Sequence, residues 1–163
     1  MVVVVMGVSG SGKSTIGRML AESLGREFYD GDDLHPEANK RKMHSGIALT
    51  DEDRAPWLLT IRNLISSIVA AGRNAVIACS ALKQSYRDQI VVAPAAVNIV
   101  FLKGSPELIA SRIQSRIGHF MSPALLQSQF DTLEDPRDAI VVDIDASPAE
   151  IVRTIRAQIS PNS

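Results

Sequence analysis

The sequence predicts an α/β protein built around a parallel sheet. Short apolar segments alternate along the chain with longer segments of helical periodicity, an order typical of strand–helix–strand units with right-handed crossovers. The strand candidates are continuous runs rich in Val and Ile, which indicates strands buried on both faces. A length of 163 residues without repeats or linkers favours one domain spanning residues 1–163.

Five segments are predicted to form the sheet. They are Val2–Met6, Glu27–Tyr29, Ala75–Cys79, Val97–Leu102 and Ala139–Asp143. A helix is predicted over Thr15–Leu24 and ends at Gly25, a residue that commonly terminates helices. A longer helix is predicted from about Asp53 to Ala71, because apolar residues recur on one helical face between them.

A Ser-Pro pair marks the start of each of three further helices, at residues 105–106, 122–123 and 147–148. Serine suits the N-cap position and proline suits the first helical position. Glu150 follows Ser147 by three residues, which predicts a capping box for the last helix.

Composition narrows the function classes. Lys and Arg number 17 and Asp and Glu number 18, so the net charge of −1 gives no global reason to bind nucleic acid or a membrane. The single cysteine, Cys79, fits a reducing compartment. The apolar N-terminus lacks the features of a signal peptide, and no apolar run approaches 18 residues. The expected location is the cytoplasm.

The segment "GVSGSGKS", from Gly7 to Ser14, matches the phosphate-binding pattern G-x-x-x-x-G-K-[ST] between a predicted strand and a predicted helix. Its glycines allow backbone N–H groups to converge on phosphate oxygens. Lys13 is expected to reach the β- and γ-phosphates and Ser14 to contact Mg²⁺. The predicted cofactors are ATP and Mg²⁺, and the residues assigned to the nucleotide are Gly7, Gly10, Ser11, Gly12, Lys13, Ser14 and Thr15. The alternative is a glycine-rich turn that matches by chance.

Three carboxylates in "YDGDDLHP" follow the second predicted strand. Ligands of open α/β sheets bind beyond the carboxyl ends of the strands, so these side chains are expected beside the phosphate loop. We assign Asp30 to the metal and Asp32 to the acceptor hydroxyl, with Asp33 as a bystander. The third strand ends in "CSALK" without an acid, so the metal-side carboxylate must come from elsewhere. The alternative is an acidic turn that caps the helix beginning near Pro36.

The chain resembles gluconokinases of the small P-loop type, relatives of shikimate and adenylate kinases. The resemblance rests on "GVSGSGKST", "DGDDLHP", "NKRKMHSG", "LTDEDRAPWL", "CSALKQSYRD", "FLKG" and "RIGHFMSPALLQSQFDTLEDP". It implies phosphorylation of D-gluconate at the 6-hydroxyl by ATP, and often a homodimer. It also implies a P-loop NTPase three-layer sandwich, nucleoside-monophosphate-kinase-like, with a five-stranded parallel sheet and a lid. Ala48 stands where the family usually has proline.

The acceptor-binding region is expected at about residues 30–60. Gluconate is a polyol with a carboxylate, so cations at the mouth of the sheet suit it. Arg54, Lys83 and Arg87 are candidates to hold its carboxylate or hydroxyls, and His35 is a candidate to hydrogen-bond a hydroxyl. For each, the alternative is a solvated face or a local ion pair, and Arg54 lies beside Asp51, Glu52 and Asp53.

A lid is expected at about residues 112–123. We assign Arg116 to the transferring phosphoryl group, and the resemblance places Arg112 on adenine. The alternative for both is an exposed basic helix face. We interpret His119 and Gln129 as further contacts to the acceptor, and the resemblance places Ala146, Ser147 and Pro148 at the adenine.

Trp57 is interpreted as a core or interface anchor.

Two other functions remain open from the residues alone. One is another small-molecule kinase of the same fold, such as a shikimate kinase. The other is a nucleotide-binding switch module, although the acceptor-side acid Asp32 argues against it.

Overall fold

A computed structural model describes residues 1–115 and 122–159. The strands are β1 (Val2–Met6), β2 (Glu27–Asp30), β3 (Ala75–Ala78), β4 (Val97–Lys103) and β5 (Ile140–Asp143). The helices are α1 (Lys13–Leu24), α2 (Glu37–His44), α3 (Asp51–Ala70), α4 (Gln84–Ile90), α5 (Pro106–Ser115), α6 (Pro123–Thr132) and α7 (Pro148–Gln158). Short 3₁₀ helices span Gly31–Leu34 and Pro94–Ala96.

The five strands form one parallel sheet in the order β2-β3-β1-β4-β5. This confirms the predicted α/β fold. The strand β1 lies at the centre, where Val2 pairs with Ala75 of β3 on one side and Val97 of β4 on the other. The carboxyl ends of all five strands therefore meet at one edge of the sheet.

Alternate residues of β1 supply two separate cores. Val3 and Val5 pack with residues of α1 and α7 on one face of the sheet. Val2, Val4 and Met6 pack with residues of α3 and α4 on the other face. Because a strand points successive side chains to opposite faces, a strand covered on both sides must be apolar throughout. All five residues are fully buried.

Two element boundaries differ from the prediction in a way that bears on the site. The strand β2 extends to Asp30, which pairs with Ala78 of β3, so the backbone of Asp30 is fixed by the sheet. The helix α3 begins at Asp51, before the expected start, because Thr50 and Asp53 form a reciprocal capping box. The box uses aspartate at the position where glutamate or glutamine is usual, which weakened its signal in the sequence.

The predicted Ser-Pro helix starts are confirmed. The Ser105 hydroxyl accepts a hydrogen bond from the Leu108 amide at 3.1 Å, and the Ser122 hydroxyl accepts one from the Leu125 amide at 3.1 Å. Ser147 forms the predicted capping box with Glu150. Within the described residues, none of the helices combines the length and apolar character needed to span a bilayer.

Candidate active site

The phosphate loop connects β1 to the first turn of α1. Gly10 and Gly12 have φ angles of 81° and 95°, in the left-handed region where a side chain is strained. Gly12 is the N-cap of α1, so the amides of the loop and of the first helical turn face the same space. The Lys13 ammonium lies against the loop, donating to the carbonyl oxygen of Val8 at 3.1 Å. This is a backbone arrangement suited to a polyphosphate.

Asp30 links the end of β2 to the phosphate loop. One of its carboxylate oxygens accepts a hydrogen bond from the Ser14 hydroxyl at 2.7 Å. The other accepts from the Asp32 amide at 3.0 Å and so caps the 3₁₀ helix Gly31–Leu34. The structure therefore brings the two residues assigned to the metal together, and it gives Asp30 a capping role as well. Asp33 is exposed and lies outside the cavity lining within the described chain.

A cavity of about 280 Å³ opens beside the phosphate loop. The predicted site residues among those that line it are Lys13, Asp32, His35, Arg54 and Gln129. They come from five separate segments, namely the first turn of α1, the 3₁₀ helix after β2, the turn before α2, the start of α3, and α6. Lys13 and Asp32, predicted to contact the phosphates and the acceptor, thus line the same cavity.

His35 is held rigidly at the wall of this cavity. Its imidazole stacks on the Trp57 indole, with ring centroids 4.2 Å apart and an interplanar angle of 14°. The Trp57 indole N–H donates to the Gly31 carbonyl oxygen at 2.7 Å, which fixes the indole in turn. Burial lowers the pKa of His35 to about 4, although the neighbouring Asp32 acts to raise it. The ring is therefore neutral near pH 7 and offers hydrogen bonds without charge.

Arg54 lies at the cavity within a polar cluster. Its guanidinium donates to the Tyr86 hydroxyl at 3.0 Å and lies over the Tyr86 ring. The Tyr86 hydroxyl donates to Asp51, and this hydrogen bond, followed by that from Lys83, holds the pKa of the Asp51 carboxyl below its ordinary value. Lys83 contacts Asp51 at 3.2 Å and lies outside the cavity lining of the described chain. Arg54 is thus the predicted carboxylate-binding cation that reaches the cavity.

Arg87, which is also predicted to hold the acceptor, does not line this cavity within the described part of the chain. The side chain is buried, and its guanidinium donates to the carbonyl oxygens of Ala81 at 2.8 Å, Leu82 at 3.1 Å and Glu134 at 2.8 Å. It lines a separate groove under α4. With these backbone partners, Arg87 clamps the loop after β3 to the segment after α6.

Gln129 connects α6 to the phosphate loop. Its side-chain oxygen accepts from the Ser9 amide at 2.6 Å, and its side-chain nitrogen donates to the Ser9 hydroxyl at 3.0 Å. Both residues line the cavity. Gln129 therefore holds the phosphate loop in place at the cavity wall, in addition to any contact with an acceptor.

Arg112 of α5 donates a hydrogen bond to the Ile144 carbonyl oxygen. Ala146, Ser147 and Pro148 begin two residues later and lead into α7, with Ser147 as its N-cap. The residues assigned to the adenine are thus adjacent. Arg116 and His119 lie outside the described residues.

The comparisons with known proteins all find small-molecule kinases. The family model for shikimate kinase matches residues 9–160. A gluconokinase from Gluconobacter oxydans (strain 621H) is 50% identical over 135 residues, which cover 83% of this chain and 76% of that protein. A probable gluconokinase from Mus musculus is 44% identical over 174 residues, covering 94% of this chain and 95% of that protein.

A solved structure agrees as well. The crystal structure of a gluconokinase from Sinorhizobium meliloti 1021 matches with a TM-score of 0.87 and 50% identity, covering 95% of this chain and 89% of that chain. The chain belongs to the gluconokinase family. The resemblance inferred from the sequence motifs is confirmed, and so is the assignment of the chain as a phosphotransferase with a nucleotide-binding P-loop.

The residues of this gluconokinase-family site fit a magnesium ion bound beside phosphates. Mg²⁺ prefers oxygen ligands and usually keeps several waters, with one or two protein oxygens and substrate phosphates completing its shell. Ser14 and Asp30 supply such oxygens next to the phosphate loop. No cluster of three or more His, Cys, Asp or Glu side chains arranged for a metal occurs in residues 1–115 and 122–159. A magnesium site completed by phosphate oxygens and water does not need such a cluster.

Several residues at the gluconokinase-family cavity were missed or understated by the sequence analysis. Trp57, interpreted as a core anchor, is the platform for His35 as well as a core residue. Asn39, which contacts His35, gave no signal in a charged segment. His44, which gave no signal of its own, also lines the cavity.

Proposed function

We propose that this chain transfers the γ-phosphoryl group of ATP to the 6-hydroxyl of D-gluconate, giving 6-phospho-D-gluconate and ADP. Membership of the gluconokinase family supports the acceptor. The observation that carries the proposal is the single cavity that Lys13 of the phosphate loop and Asp32 both line. In that cavity the donor phosphate and an acceptor hydroxyl can be in contact.

On the nucleotide side, the loop amides and Lys13 hold the β- and γ-phosphates, while Ser14 and Asp30 hold a magnesium ion. Mg²⁺, when bound, neutralises charge that builds up on the phosphate oxygens. We further propose, from the sequence and the family resemblance, that Arg116 contacts the transferring group. On the same grounds, we propose that Arg112 and residues 146–148 contact the adenine and that His119 contacts the acceptor from the lid.

On the acceptor side, Asp32 orients the 6-hydroxyl and receives its proton as the oxygen attacks the γ-phosphorus. The bond from that phosphorus to the β-phosphate oxygen breaks, and ADP leaves with the electron pair. Arg54 suits the gluconate carboxylate, because a guanidinium fork matches two carboxylate oxygens. His35 hydrogen-bonds a hydroxyl. The loose transition state of phosphoryl transfer makes such positioning the main catalytic contribution.

We also propose a homodimer in the cytoplasm. The family resemblance supports the dimer, and large apolar side chains such as Leu59 and Ile47 are more than half exposed. Light scattering coupled to gel filtration tests it, and a monomeric mass would contradict it. The buried free thiol of Cys79 fits a reducing compartment.

The test of the activity is ADP release with Mg-ATP, compared across D-gluconate, shikimate, AMP and no acceptor. We expect strong stimulation by D-gluconate alone, with ³¹P NMR showing a phosphomonoester on the 6-carbon. Stimulation by another acceptor would remove the gluconate assignment. A rate of ADP release that does not depend on the acceptor would indicate a nucleotide-binding switch module.

A further inference from the structure

The orientation of the Asn39 amide is determined by a backbone carbonyl. Asn39 is buried in α2, and its Nδ2 atom lies 2.8 Å from the carbonyl oxygen of Asp53 and 3.2 Å from Nδ1 of His35. A carbonyl oxygen can only accept, so the amide atom beside it must be the nitrogen. The Asp53 carboxylate is engaged elsewhere, by Lys42 and the Thr50 amide, which holds this carbonyl in place.

This orientation determines the tautomer of His35. One Nδ2 hydrogen goes to the Asp53 carbonyl, and the other points at Nδ1 of His35. Nδ1 must therefore present a lone pair, and in a neutral imidazole the proton is then on Nε2. The ring is neutral because its burial disfavours the charged form.

Nε2 is the polar atom that His35 has left for the cavity. One ring face is covered by the Trp57 indole, and Nδ1 is occupied by Asn39. Within the described residues, Nε2 has no hydrogen-bond partner, while the residue as a whole lines the cavity together with Asp32. The cavity thus contains a donor held in place at His35 and a carboxylate acceptor at Asp32.

We propose that Asn39 is a positioning residue that holds His35 as the Nε2–H tautomer. The polyol then finds one hydrogen-bond donor, Nε2–H of His35, and one acceptor, the Asp32 carboxylate. The inference rests on the proposed function for the identity of that polyol. A hydroxyl can donate to Asp32 while its oxygen lone pair accepts from Nε2–H. The pair selects hydroxyl groups in a defined orientation, which positions the attacking oxygen.

The first test needs no variant. Protein carrying ¹⁵N-labelled histidine is examined at pH 7 by long-range ¹H–¹⁵N correlation, with the H35Q variant identifying the His35 signals. We expect a protonated Nε2 and an unprotonated Nδ1 in the ligand-free protein. A protonated Nδ1, in either the other neutral tautomer or the imidazolium, would overturn the proposal.

The second test reverses the direction of the hydrogen bond between residue 39 and Nδ1 of His35. In Asn39→Asp the carboxylate can only accept, so Nδ1 of His35 should become protonated in the same spectrum. We expect kcat/KM for D-gluconate to fall about tenfold or more, with KM for ATP unchanged. The matched control is N74D, on the exposed loop before β3, where the residue contacts the N-terminal amine. An N39D protein whose Nδ1 is protonated but whose kcat/KM is unchanged would refute the role.

The two proposals fail in different ways. If gluconate is not the acceptor, ADP release fails with the wild type, and the ligand-free spectrum still determines the tautomer. If gluconate is turned over normally by a protein whose His35 carries its proton on Nδ1, the positioning role is lost and the proposed function stands. Should N39D fail to fold, the wild-type spectrum alone decides the tautomer.

Discussion

Asp30 and Asp32 are two residues apart and have different surroundings. Both oxygens of Asp30 are engaged, one by the Ser14 hydroxyl at 2.7 Å and one by the Asp32 amide at 3.0 Å. The Asp32 side chain faces the cavity instead. A carboxylate held against the phosphate loop suits a metal, whereas a carboxylate facing the cavity is free to meet a hydroxyl. Asp33, adjacent and exposed, provides a natural control.

Replacing Asp32 with Asn should lower kcat by roughly 10²- to 10⁴-fold, because the residue loses its capacity to receive the proton. The affinity for ATP should stay close to that of the wild type. Steady-state kinetics with D-gluconate and equilibrium binding of ATP measure the two quantities. Asp33→Asn, the matched control, should leave both unchanged. A parallel loss of ATP affinity in D32N would refute the separation of roles between Asp30 and Asp32.

His35 makes stability depend on pH. Its pKa is about 4 in the folded protein and near 6.5 when unfolded, so the unfolded chain binds the proton first as pH falls. The free energy of unfolding should therefore be highest above pH 6.5 and decline by at most about 3 kcal/mol towards pH 4. Urea unfolding at several pH values, with H35Q for comparison, measures this. An identical decline in H35Q would assign the effect to other groups.

The loop between β3 and α4 shows how one element is positioned by another. Ala81 has a φ angle of 40°, a strained value for a residue with a side chain. Its carbonyl and that of Leu82 are held by Arg87, and the Leu82 carbonyl also accepts from the Glu134 amide at 2.8 Å. Since Ser80 and Leu82 line the cavity, the contacts of Arg87 with this loop also shape the cavity wall.

Replacing Arg87 with Gln should leave the buried Ala81 carbonyl without its guanidinium donor and destabilise the protein by roughly 3 kcal/mol. The released loop should also raise KM for the acceptor while KM for ATP changes little. Denaturant unfolding and steady-state kinetics test both effects. The exposed Arg62 of α3 provides the control, and R62Q should match the wild type. If R87Q raised KM for the acceptor without any loss of stability, direct contact with the substrate would be the better explanation.

Gly31 brings the turn after β2 close to β3. A Cβ atom at this position would lie 2.5 Å from the Ala78 carbonyl oxygen, which belongs to the sheet and cannot move aside. Gly31→Ala should therefore cost about 1–3 kcal/mol of stability and displace Asp32. Thermal unfolding and kcat measure the two effects. Asp33→Ala, in the same turn, should stay within about 0.5 kcal/mol. Wild-type stability in G31A would mean that the turn relaxes freely.

Across the whole molecule, features determined by neighbouring residues could be predicted from the sequence, and contacts between distant residues could not. Continuous apolar strands, Ser-Pro helix starts and the glycine-rich loop each carry their cause within a few residues, so fold class and phosphate loop followed from the sequence. The buried position of Arg87 could not be predicted, because its carbonyl partner in Glu134 is 47 positions away. The stacking of His35 on Trp57 was likewise invisible, since a tryptophan in a helix has many possible neighbours.

The central position of β1 has a consequence for the order in which the chain acquires its shape. This first strand is flanked by β3 and β4, which are made only after residues 75 and 97 have been added. Pairings so distant in sequence close large loops and form slowly. A nascent chain that ends before β4 exposes one edge of its most apolar strand, a surface prone to aggregation. The phosphate loop, although encoded among the first residues, thus becomes a rigid anion site only late in synthesis.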